Sequence, residues 1–166
     1  MTVELDVDIE DPWPTGQWQD DAARAAAEAA QAVAPELANP RLSASLLFTS
    51  DGEIHALNRE WRQRDKPTNV LSFPMLERDE LLALAHDGPP ELLGDIALAY
   101  ETCSREAEEK GVPLEHHAAH LIVHGLLHLA GYDHDLSDED AEAMEALETK
   151  ALAICGIADP YGDRGT

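Results

Sequence analysis

Residues 124 to 134 read His-Gly-Leu-Leu-His-Leu-Ala-Gly-Tyr-Asp-His, three imidazoles spaced as H-x-x-x-H-x-x-G-x-x-H. His124 and His128 stand four apart, so on a helix they share one face about one turn from each other. Gly131 is able to take the left-handed conformation that ends a helix, turning the chain back so that His134 reaches the same point. Three neutral imidazoles with an open fourth position describe a catalytic zinc site rather than a structural one. A water in that position has its pKa lowered toward ~7, which supplies hydroxide without a carboxylate base.

The same His spacing occurs in long-motif zinc peptidases, where Glu follows the first His and serves as general base. Here that position is Gly125, which moves no proton. Met144 does not make a methionine turn on this reading: Ala141, Met144, Leu147 and Ala151 form the apolar face of a following helix. His116, His120, His124 and His128 form a stripe along one helix. At ~1.5 Å per residue, His120 and His128 are about 12 Å apart and cannot hold one ion together. The helix end and its glycine turn therefore favour His124, His128 and His134. His116 and His117 read as partly exposed, and His55 and His86 carry no signal. Asp133 reads equally as orienting a ligand His or capping the turn. Tyr132 packs or reaches a ligand, and Asp95, after Gly94, reads as a turn carboxylate at the mouth of a strand.

With two further segments, these residues resemble a known family. His124 to His134 is similar to the H-G-x-L-H-L-x-G-Y-D-H signature of the YbeY family, bacterial single-metal endoribonucleases also described as rRNA maturation factors. Residues 65–74, Asp-Lys-Pro-Thr-Asn-Val-Leu-Ser-Phe-Pro, and residues 93–96, Leu-Gly-Asp-Ile, match that family's other recurrent segments in the same order. The likeness spans roughly residues 42–160, including the trailing Asp159-Pro-Tyr161. It implies one zinc per chain on His124, His128 and His134, and single-stranded RNA as substrate. It also implies 16S rRNA maturation with the small ribosomal subunit or its proteins as partners and no DNA, while an acidic start, lone cysteines and the lack of a long apolar run make the cytoplasm, without membrane, the expected location. The resemblance aligns Arg62 with an arginine of the family's active site. A guanidinium fork suits a phosphodiester transition state, whose negative charge spreads over nonbridging oxygens. For His120 the resemblance implies a supporting role, beside its reading as a hydrogen-bonded packing residue. Two rivals stand: a peptidase-like zinc hydrolase with a base from elsewhere, and a nonenzymatic ribosome-assembly factor with a structural zinc. No Cys lies near the triad to complete a closed site.

The chain of 166 residues is one domain's worth, with residues 159–166 as a short tail. Apolar content of 44% with three Trp indicates a globular core, and no apolar run is long enough for a membrane span. The acidic, alternating start is not a signal peptide. Cys103 and Cys155 lack a C-x-x-C partner and read as buried thiols. Thirty-four acids against eleven bases give a net charge of −23, a field that repels RNA. Yet Arg59, Arg62, Arg64 and Lys66 fall within eight residues. Such a local basic patch holds a few phosphates; for Arg59 and Arg64 a solvated helix end serves equally well.

The elements that must position these groups follow from periodicity and breakers. Strands are expected over Val3–Ile9, Leu42–Thr49, Val70–Phe73 and Ile96–Tyr100. Helices are expected over Gln17–Val33, from Ser50-Asp51-Gly52 to about Arg62 with Ile54, Leu57, Asn58 and Trp61 along one face, over Thr102–Lys110, over Pro113–Ala130, and from the Ser137 cap to Gly156. Glu77 to Pro90 carries no firm period and reads as a mobile loop near the site. Tight-turn chemistry around Pro67 explains Thr68 and Asn69 as well as a role as polar donors beside Ser72. The sum is a single α+β domain: a mixed sheet of about four strands packed by about five helices, with the metal site at the end of a helix in the C-terminal half.

Overall fold

A computed structural model of the chain describes residues 3–62, 68–132 and 138–157, with the Arg62, Asp138 and Asp140 side chains outside that description. Strand β1 (Glu4–Ile9) alternates exposed acids with half-buried Leu5, Val7 and Ile9. It pairs in parallel with β2 (Leu42–Thr49), and the connection is helix α1 (Gln17–Val33), as a parallel pair requires. Strand β4 (Glu91–Ala99) lies parallel to β2 on its other side, and β3 (Val70–Pro74) closes the sheet antiparallel to β4. The order β1-β2-β4-β3 makes the expected four-stranded mixed sheet. Pro74 ends an edge strand, where a missing amide costs no ladder bond.

The two faces of this sheet are unequally covered. Leu42, Ala44, Leu46 and Phe48 of β2, with Ile96 and Leu98 of β4, are buried in the main core. Helix α5 (Leu114–Leu129) packs there against α1, and α6 (Asp138–Ile154) packs on both helices. Ala26, Ala27 and Ala30 give α1 a buried stripe of small side chains. Gly125 brings α5 close to the sheet: a Cβ at that position would lie 3.0 Å from Ile96 Cδ1. The opposite face carries a smaller core in which Ile54 of α2 (Asp51–Arg62) meets Leu71, Ala97 and Ala99. Trp13 ties the first loop to the strand ends, donating from Nε1 to Thr49 O at 2.8 Å and packing edge-on to Phe48 and Tyr100.

Several expectations are corrected. The stretch read as a loop contains helix α3 (Arg78–Ala83), entered through a capping box in which the Glu77 amide donates to Glu80 Oε1 at 3.0 Å. Six residues are too few for a helical period to stand out, but Leu81 is buried and anchors the turn. Strand β4 starts at Glu91, with a register shift where Ala44 pairs with Gly94. Asp95 therefore lies mid-strand, accepting from Ser45 Oγ at 2.5 Å, and is not a turn carboxylate. Helix α4 (Tyr100–Lys110) brings Glu106 within 2.9 Å of His117 Nε2, and His117 is buried rather than partly exposed. Trp61, expected on the inward face of α2, is 67% exposed. Met144 and Ala151 are buried on α6 as expected.

Candidate metal centre

Helix α5 carries the two described histidines of the triad to a sharp stop. Gly131 has φ of +102°; its amide donates to His128 O at 3.0 Å, and the Tyr132 amide donates to Leu127 O at 3.1 Å. This is the Schellman arrangement, which satisfies the last carbonyls while reversing the chain. His134, the third expected ligand, and Asp133 lie outside the described residues. Among the described residues no trio of His, Cys, Asp and Glu is assembled that could hold an ion. The His124 and His128 ring centroids are 6.4 Å apart with planes inclined by 32°, one turn apart on one face as the spacing predicts.

Behind His124 stands an acid that sequence reasoning missed. Glu148 of α6 is 1% exposed, and its Oε1 lies 2.7 Å from His124 Nδ1 and 3.4 Å from His120 Nε2. Burial pushes the Glu148 carboxyl up, but the hydrogen bonds to His120 and His124 outweigh it and hold the group down to about 2. An ionised carboxylate only accepts, so His124 Nδ1 donates, and in the neutral ring this leaves the lone pair on Nε2 at the opposite edge. A ligand His with its other nitrogen fixed on a carboxylate is the donor chemistry a zinc ion uses, so this residue set fits the metal. His120 turns its Nε2 inward to Glu148 and is buried. Its place is behind the site. The signal for Glu148 was present: it falls between Met144 and Ala151 at helical spacing, an acid on a buried stripe.

Arg78 of α3 clasps the turn that follows His128. Its Nη1 donates to Ala130 O at 2.7 Å, and its Nη2 meets Glu36 Oε2 at 2.9 Å. The guanidinium sits 4.6 Å from the Tyr132 ring centroid, and Tyr132 OH donates to Glu36 Oε2 at 3.0 Å. Tyr132 thus serves the clasp. A Cβ on Gly131 would lie 2.8 Å from the Arg78 stem, so this glycine is needed for space as well as for φ. His128 opens onto a cleft of about 570 Å3 whose walls include Met75, Arg78 and Tyr132.

The family model described as Endoribonuclease YbeY matches residues 9–156. The chain belongs to the endoribonuclease YbeY family. It is 67% identical to the endoribonuclease YbeY of Erythrobacter litoralis over 98% of this chain and 99% of that protein. It is 60% identical to that of Novosphingobium aromaticivorans over 95% of each. A solution structure from Thermotoga maritima shares the fold with a TM-score of 0.58 at 23% identity, covering 96% of this chain and 91% of that one.

The described parts of the three segments meet in space. Residues 70–74 form β3 and residues 93–96 lie in β4, with Phe73 paired to Asp95. The third segment ends α5, where Leu129 packs so near Gly94 that a Cβ there would come within 2.6 Å of Leu129 Cδ2. Asn69 donates from Nδ2 to Glu106 Oε1 at 3.0 Å, and its carbonyl accepts from the Ala99 amide at 2.9 Å, so it holds the approach to β3. Arg62 is the last residue of α2, while Arg64, Lys66 and Pro67 lie outside the described residues. Arg59 is on the exposed side of the same helix.

Proposed function

We propose that this chain is a zinc-dependent endoribonuclease that cuts single-stranded RNA, with ribosomal RNA as its natural substrate and His124, His128 and His134 as the ligands of one zinc. Membership of the YbeY family supports the endoribonuclease chemistry. The observation that supports the metal is the buried Glu148 carboxylate on Nδ1 of a His124 side chain that is itself 22% exposed. Such a pair orients a ligand imidazole and raises its basicity.

Held by His124, His128 and His134, a zinc ion would supply Lewis acidity at the phosphate and a source of hydroxide near neutral pH. Glu148 keeps the proton of His124 on Nδ1 and its lone pair on Nε2. That carboxylate sits behind the ring and is 1% exposed, so it takes no proton from a substrate. Gly125 faces Ile96 across the helix–sheet contact and contributes no base. The Arg62 guanidinium suits the negative charge that develops on the nonbridging oxygens of the phosphate. Arg59, with Arg64 and Lys66, draws the phosphate backbone toward an otherwise acidic protein. Partnership with the small ribosomal subunit and a cytoplasmic location belong to the same proposal; no described helix is long and apolar enough to cross a membrane.

The test sets RNA against peptide on one zinc-loaded preparation. Labelled single-stranded RNA is cut, and unfolded casein is left intact between about pH 6 and 9, because Gly125 stands where those peptidases carry their glutamate. Robust proteolysis abolished by His128→Ala would move the protein into the peptidase class.

A further inference from the structure

On the sheet face covered by α2, residues line up in rows across three strands. Leu47, Ala97 and Leu71 are paired side by side, and Leu57 of α2 joins the small core they line. The next row, Ser45, Asp95 and Phe73, lies in register beside it. There a cleft of about 370 Å3 opens between this row and Trp61 at the end of α2, a size suited to a small planar ligand. Met75, 55% exposed, lines this cleft and also the cleft onto which His128 opens. Trp61 directly precedes Arg62.

We propose that this cleft is a nucleobase subsite that takes a guanine of the RNA chain next to the one being cut. The assignment rests on the RNA reading above and adds to it a named pocket and base. An exposed indole and a phenyl ring offer the stacking surfaces that single-stranded bases use. The floor is a carboxylate, Asp95, already accepting from Ser45 Oγ at 2.5 Å. A carboxylate repels phosphate and accepts from N–H donors, so the base enters and the backbone stays outside. Guanine presents an imino N–H and an amino group side by side on its Watson–Crick edge, which suits a carboxylate better than the single imino N–H of uracil between two carbonyls. Met75 lines both clefts, so a strand that passes His128 and then Met75 brings its neighbouring base to Trp61.

The experiment measures single-turnover cleavage of short single-stranded RNAs by the zinc-loaded full chain, as maximal rate and half-saturating RNA concentration. The RNAs carry one guanine at successive positions in a uracil background. A guanine at one fixed distance from the cut lowers the half-saturating concentration about tenfold, and Trp61→Ala removes that gain. Asp95→Asn erases the preference for guanine over uracil, while Val112→Ser, an exposed apolar residue away from both clefts, changes nothing. Trp61 is exposed, so its replacement leaves the fold intact, and Trp61→Phe, which keeps a stacking ring, restores most of the gain. The subsite is overturned if wild type shows no positional preference for guanine, if Asp95→Asn keeps it, or if Trp61→Ala leaves half-saturation unchanged. The last result, joined to weakened binding of ribosomal subunits, would assign the cleft to a protein contact instead. If wild type cuts no RNA at all while holding zinc, the RNA reading itself falls and the subsite with it.

Discussion

The buried Glu148 carboxylate and the half-buried His124 imidazole form a pair, with Oε1 2.7 Å from Nδ1 on the ring edge opposite Nε2. Zinc enzymes orient ligand histidines in this way, and losing such a partner costs ~10- to 100-fold in metal affinity. Glu148→Gln should therefore bind zinc ~10- to 100-fold more weakly in competition with a chelator while keeping its fold by circular dichroism. Substituting cobalt for zinc should show an altered ligand-field spectrum in the variant. Zinc affinity within twofold of wild type would reduce Glu148 to a packing role.

The same pair sets a pH dependence in the metal-free protein. The Glu148 carboxyl is held at about 2 against an ordinary 4.5, so its folded pKa lies below its unfolded one. Its stabilisation is fully present above about pH 4.5 and is lost as pH falls through 2, a contribution on the order of 3 kcal/mol. Urea unfolding of metal-free wild type should steepen its loss of stability in that window relative to Glu148→Gln. Parallel profiles for the two proteins would contradict the assignment.

The ligand register makes a separate prediction. His124→Ala, His128→Ala and His134→Ala should each lose most of the co-purifying zinc. His120→Ala should keep it, because its Nε2 faces Glu148 rather than the cleft. If His120→Ala alone empties the site, the register is wrong.

Arg62→Ala should retain zinc and thermal stability yet cut RNA ~10²-fold more slowly or worse, the cost of one transition-state donor. Arg62→Lys should recover little, since an ammonium lacks the bidentate fork. Arg59→Ala should mainly weaken binding, with an effect that fades as salt rises. A lower melting temperature with near-normal turnover of the folded Arg62→Ala protein would remove Arg62 from the active site.

Most of the fold was legible because its elements obey local rules. The Ala-rich α1, the alternating β1 and the apolar β2 carry their periods openly; the bounds of α1 and β2 match the structure, and β1 begins one residue later than expected, at Glu4. Helix α3 was not legible: its six residues hold less than two turns, and what fixes it is the long-range contact of Arg78 with Ala130 and Glu36. Asp95 was misplaced because Gly94 signals a turn in sequence, whereas here it sits at a strand irregularity. The placement of His124 and His128 one turn apart on one helix face was readable from spacing alone. Their supports were not, since Glu148 and Arg78 reach them from 24 and 50 residues away in the chain.

The central claim, that three histidines hold a zinc on which RNA cleavage depends, is tested most directly by stripping the metal and returning it stepwise. Single-turnover cleavage of a labelled single-stranded RNA should vanish with the zinc and return in proportion, reaching its plateau at one equivalent per chain, and His134→Ala should recover none of it. Full cleavage by the stripped protein, or by His134→Ala at any zinc level, would contradict the account.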